Sequence, residues 1–153
     1  MPIRKFILPN NKIIYQVNFD SIPQIKNAKN LHILGLIKPS KKDCEEVFPA
    51  NSCISLHPIK DQFEDFDKHT DAIYNAIDSA LNATDNLIVF CKVGQSRSVG
   101  SVLWYIMNKY NTKLEDVKFE GVPIQWNQPI PEKLKILYGK TEKRIVKPVN
   151  KGI

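Results

Sequence analysis

Residues 87–98 read LIVFCKVGQSRS. The first four form a short continuous apolar run of the kind that makes a strand buried on both faces. From Ser98 to Tyr110 the apolar residues Val99, Val102, Leu103, Ile106 and Met107 recur at helical spacing. Between strand and helix, Gly94 permits a backbone conformation closed to other residues. Successive N–H groups in such a turn form an anion-binding nest. The N-terminus of the following helix adds free donors and the positive end of its dipole. A cysteine at the rim of this cradle, Cys91, is expected to be thiolate at neutral pH. Arg97 places a guanidinium fork where two phosphate oxygens are bound and followed into a transition state. A buried structural cysteine before an ordinary turn is the competing reading, and it is the one adopted for Cys44 and Cys53. At Cys91 it leaves Gly94, Arg97 and Ser98 unexplained.

Outward from this loop, strands alternate with helices. KIIYQVN (12–18), LHILGLI (31–37) and SCISL (52–56) read as strands. A short helix is expected near 43–47. An amphipathic helix is expected over 65–82, with Phe66, Ile73, Ala76, Ile77, Ala80 and Leu81 on one face. Further helices are expected near 113–119 and over 132–138. This alternation predicts a single α/β domain over residues 1–140, with a central, mostly parallel twisted sheet flanked by helices. Ligands bind such sheets at the carboxyl ends of strands, where Cys91 stands. Residues 141–153 read as a loose basic tail.

With 153 residues, 42% of them hydrophobic, the chain is long enough for one real core. It has no apolar run long enough for a membrane helix, and its opening, MPIRKFILPNNK, does not read as a signal peptide. Three cysteines and three scattered histidines lack metal-ligand spacing, so neither a metal nor another cofactor is expected. A reducing, cytoplasmic setting follows from the same cysteine usage. The net charge of +6 favours anionic partners. Most of that charge is lysine on a solvated surface. Only Arg4, Arg97 and Arg144 are arginines, so the one inside the glycine loop calls for the planar fork.

Cysteine, five residues, arginine and serine after a hydrophobic strand resemble the signature loop of the protein tyrosine phosphatase superfamily. Size and surrounding helices resemble its dual-specificity branch, over roughly residues 52–138. The resemblance implies that Cys91 attacks phosphorus to give a phosphocysteine and that Lys92, Val93, Gly94, Gln95, Ser96 and Arg97 hold the phosphoryl oxygens. It implies that Ser98 assists departure of the thiolate. Expelling an alkoxide requires a general acid, and the family carries an aspartate about thirty residues before the cysteine. Asp61 stands at that spacing, with Asp65, Asp67 and Asp71 as competitors. Asn127 matches an asparagine that braces the loop. One residue departs from the pattern: Phe90 replaces the histidine that usually precedes the nucleophile, so a histidine restored there is expected to favour the thiolate.

The implied substrate is a phosphorylated protein, at tyrosine, serine or threonine. Lys92 resembles the inositide phosphatases of the superfamily, although Gln95 stands where they have a second lysine. RNA 5′-triphosphatases, the RNA 5′-phosphatases of the superfamily, share the cradle but usually carry threonine at the place of Ser98. The tail lysines and Arg144 suit RNA or a membrane surface. A non-catalytic phosphate reader is the alternative of a different class. Such readers lose the cysteine or the arginine, and both are present.

Overall fold

The structure, a computed structural model, describes residues 3–25 and 31–139. Six strands form one sheet: β1 (Arg4–Ile7), β2 (Ile13–Asn18), β3 (His32–Gly35), β4 (Cys53–Leu56), β5 (Asn86–Cys91) and β6 (Glu120–Gly121), in the order β4-β3-β5-β2-β1-β6. Strands β4, β3, β5 and β2 are mutually parallel, while β1 runs antiparallel to both β2 and β6. The sheet is thus a parallel α/β sheet extended at one edge by two short strands. Among the described residues five α-helices flank it: α1 (Lys41–Val47), α2 (Phe63–Lys68), α3 (Thr70–Ala83), α4 (Arg97–Lys109) and α5 (Pro129–Tyr138).

Strand β5 lies between β2 and β3 and decides the geometry of everything above it. Its apolar residues alternate between two cores, as the two-residue period of a strand requires. Leu87, Val89 and Cys91 face the larger core with α3, α4 and α5. Ile88 and Phe90 face a smaller one with Val17, Phe19, Ile22 and Ile33. All of β5 from Leu87 onward is buried, which is why its sequence reads as a continuous apolar run.

Four expectations change. The helix expected over 65–82 is two helices broken at His69, whose backbone (φ −111°, ψ 7°) closes α2 and opens α3. The helix near 113–119 is only a 3-10 turn, Leu114–Asp116. Beyond it the chain is taken by the sheet: Phe119 packs against Phe6 and Glu120–Gly121 pairs with β1. Cys53 is not a buried structural residue, because β4 is an edge strand with all four residues exposed. The final helix starts earlier than expected, at Pro129, where the missing N–H of proline costs nothing. The basic tail over 141–153 lies outside the described residues.

Candidate active site

Strand β5 ends at Cys91, and α4 begins at Arg97 after a five-residue loop. Cys91 is 2% exposed, whereas Lys92 and Val93 project into solvent, so the loop rises from the core at Cys91 and returns at the helix. Gly94 has φ +77°, and a Cβ on it would lie 2.7 Å from the backbone nitrogen of Asn18. Two independent constraints therefore demand glycine: the left-handed backbone and the tight approach to the end of β2. Ser96, at the N-cap of α4, makes no side-chain cap bond. Its Oγ instead accepts a hydrogen bond from the N–H of Ile130, 3.1 Å away, which ties the loop to α5.

Beneath the loop lies a residue that sequence reasoning passed over. Arg4 is completely buried. Removing a guanidinium from water costs several kcal/mol unless its donors are answered, and here all of them are. Nε donates to the Val122 carbonyl (2.9 Å), Nη1 to Gln16 Oε1 (2.7 Å) and the Gly94 carbonyl (3.0 Å), and Nη2 to Gln95 Oε1 (3.0 Å) and the Pro123 carbonyl (2.8 Å). Gln16 Nε2 donates to the same Gly94 carbonyl at 3.0 Å. Holding that carbonyl down turns the N–H of Gln95, on the other side of the trans peptide, towards the cradle. The scarcity of arginine in the chain is the signal that points to Arg4 as well as to Arg97.

On the helix side, Ser98 Oγ lies 3.0 Å from Cys91 Sγ. Arg97 is half-buried, and its Nη1 lies 3.4 Å from the carbonyl of Ile59, on the segment that leads to Asp61. That bond brings the 59–61 segment to the mouth of the loop. Asp61 itself is exposed. Asp65 is committed elsewhere: its Oδ2 accepts the Lys60 N–H at 2.7 Å, and this bond holds its carboxyl below the usual carboxylate range. Asp67 and Asp71 are exposed on α2 and α3.

The brace expected of Asn127 is made by other residues. Asn127 is exposed and has no hydrogen bond to the loop among the described residues, because the loop carbonyl at Gly94 and the Ser96 hydroxyl are already answered by Arg4, Gln16 and Ile130. The described residues contain no group of three or more His, Cys, Asp or Glu side chains that could hold a metal ion. Nor is any helix among them long and apolar enough to cross a membrane.

No family profile matches the chain. In sequence it is similar to "Putative tyrosine-protein phosphatase R622" of Acanthamoeba polyphaga mimivirus, with 27% identity over 103 residues covering 67% of this chain and 45% of that one. The chain therefore spans under half the length of that relative. In structure it is similar to DUSP15, with a TM-score of 0.52 and 25% identity over 72% of this chain and 69% of that one. Both likenesses are to phosphatases of the cysteine-dependent protein tyrosine phosphatase superfamily. The fold of the chain is also that of human DUSP28 (TM-score 0.57, 19% identity, 76% of each chain) and of P. aeruginosa TpbA (TM-score 0.62, 14% identity, 86% of this chain and 88% of that one).

The chain departs at Phe90 from the signature loop it resembles, and the structure gives the physical setting of that change. The fully buried Phe90 ring points away from Cys91 and packs against Phe19 (5.4 Å) and the partly buried Phe48 (5.7 Å). Gly35 makes room for it, since a Cβ there would lie 2.4 Å from the ring. An imidazole at 90 would enter this apolar cluster, so the expectation that histidine there favours the thiolate does not fit the packing.

Proposed function

We propose that this chain is a phosphatase that hydrolyses phosphate monoesters through a phosphocysteine intermediate, with phosphorylated tyrosine, serine or threonine side chains of proteins as substrates. The observation that carries the reading is the buried 3.0 Å contact of Cys91 Sγ with Ser98 Oγ, at the foot of a loop whose Gly94 carbonyl is held down from below. Such a loop turns N–H groups rather than carbonyls towards a bound anion.

In the first step the Cys91 thiolate attacks phosphorus, the S–P bond forms and the P–O ester bond breaks. The leaving oxygen takes its proton from Asp61. Arg97 exchanges its long bond to the Ile59 carbonyl for a bidentate grip on two phosphoryl oxygens, joined by the amides of residues 92–97. In the second step water attacks phosphorus and gives its proton to the Asp61 carboxylate. The S–P bond breaks, inorganic phosphate leaves and the thiolate returns, received by the Ser98 hydroxyl. A nucleophile of this kind and three free cysteines suit a reducing, cytoplasmic compartment.

Hydrolysis of a small aryl phosphate by the purified protein tests the reading. Turnover is expected in wild type and is lost in Cys91→Ser, which keeps its affinity for vanadate through the amides and Arg97. Arg97→Lys loses nearly as much, since a point charge cannot reproduce the fork. Binding of phosphate without turnover in wild type would make the protein a phosphate reader instead. Cys91→Ser retaining more than about a tenth of wild-type activity would remove Cys91 from its role, given the far larger losses typical of a missing nucleophile.

A further inference from the structure

Arg4 is a buried cation that the chemistry above does not use, and its hydrogen bonds lead in three steps to the nucleophile. Arginine only donates, so the Gln16 atom 2.7 Å from Arg4 Nη1 is the amide oxygen, and the orientation of the Gln16 amide is settled without ambiguity. Nε2 then points the other way and donates to Ser98 Oγ at 2.7 Å. Ser98 is fully buried, and its remaining neighbour is Cys91 Sγ at 3.0 Å. If the thiol donated to Oγ, the hydroxyl proton would have no acceptor among the described residues, at a buried site where an unpaired donor is costly. With Gln16 donating into the oxygen, the serine proton is aimed at sulfur.

From this geometry we propose that Arg4 and Gln16 are positioning residues that polarise the Ser98 hydroxyl towards the Cys91 thiolate. The three bonds run donor to acceptor in one direction, from a fixed positive charge to a negative one, and bonds in such a chain strengthen one another. Burial pulls the Arg4 pKa down, and its coulombic interaction with Cys91 opposes that pull. No carboxylate among the described residues is bonded to Arg4, so its charge is not neutralised locally. The other cations beside the loop are differently placed. Lys92 is solvated, and Arg97 lies half-buried beside the Ile59 carbonyl, at the mouth rather than the floor. The same two residues hold the Gly94 carbonyl, so one device shapes the cradle and stabilises its nucleophile.

The inference rests on Cys91 being the nucleophile, and its test is independent of turnover. The rate of Cys91 alkylation by iodoacetamide is measured against pH, with melting temperature as the control for folding. Gln16→Glu is the decisive variant. It is isosteric and gains an ion pair with Arg4, but its carboxylate accepts from both Arg4 and Ser98, which turns the serine proton away from sulfur. The midpoint of the alkylation profile is expected to move up by about one pH unit, a tenfold change in the thiolate equilibrium. In a Ser98→Ala background the further shift caused by Gln16→Glu shrinks, because the hydroxyl that transmits part of it is gone. Arg4→Met is expected to move the midpoint in the same direction, and should it fail to fold, Gln16→Glu decides alone. A folded Gln16→Glu protein with the wild-type midpoint overturns the relay. A shifted midpoint in a protein that hydrolyses no phosphate ester leaves the relay standing and removes the phosphatase reading.

Discussion

His57 Nε2 lies 3.2 Å from His69 Nδ1, joining the end of β4 to the break between α2 and α3. His69 Nε2 in turn lies 3.7 Å from Asp65 Oδ1, and Asp65 also receives the Lys60 N–H. The segment carrying Asp61 is therefore clasped at both ends by one network. Burial and the neighbouring His69 lower the pKa of His57 below its ordinary 6.5. The folded state prefers neutral His57, so the contribution of the clasp is fully present above about pH 6.5 and is lost as pH falls through the lower folded value. Two protonated rings also have no acceptor between them. Hydrogen exchange of residues 57–62 is expected to speed up on acidification in wild type and to be fast and pH-independent, beyond the intrinsic chemistry, in His57→Ala. Equal protection at pH 5 and pH 8 in wild type would show that the clasp does not titrate.

Asp61 is exposed on that segment, whereas Asp65 is held by the Lys60 amide, so the proposed general acid is Asp61. Asp61→Asn is expected to slow hydrolysis of alkyl phosphates by roughly 10²–10⁴-fold, the range of a lost general acid. Aryl phosphates with good leaving groups, which need little protonation, are expected to lose much less. An equal loss on both substrate types would give Asp61 a structural role.

At Gly94, alanine must adopt a left-handed backbone, at a cost of roughly 1–2 kcal/mol, and must push against Asn18. Gly94→Ala is expected to weaken vanadate binding about tenfold or more, since 1.4 kcal/mol is a factor of ten. Unchanged affinity and melting temperature would mean that the loop adapts to a Cβ.

Phe90→His buries a polar ring among Phe19 and Phe48, and an unpaired buried polar group costs roughly 1–3 kcal/mol. The melting temperature is expected to fall by about 2–4 °C for each kcal/mol, with the Cys91 alkylation profile unmoved. A profile displaced to lower pH in a well-folded protein would show that position 90 does reach the thiolate.

The strand, loop and helix over 87–98 were legible in the sequence because each depends on neighbours along the chain. A doubly buried strand must be apolar throughout, a left-handed turn must have glycine, and a helix face must repeat at three and four residues. The same locality explains what was misread. The periodicity over 65–82 is continuous in sequence, yet the helix breaks at His69, where the ring bonds to His57 across the chain. The hydrophobic run that names Phe90 as a strand residue cannot say which of two cores its ring enters.

What the sequence alone determined is therefore the chemistry of the loop: a cysteine, a glycine and an arginine at a spacing that only a short strand-to-helix turn can use. What the tertiary structure decided is what lies under it. Arg4 and Gln16 reach Gly94 and Ser98 only because β2 lies beside β5 and β1 beside β2 in the sheet, and nothing in the local sequence of either strand announces that order. Asn127, chosen by its place in the chain, is left in solvent for the same reason. A hydrogen bond is made by whichever group the fold brings within about 3 Å, and sheet order, not separation along the chain, sets which groups those are.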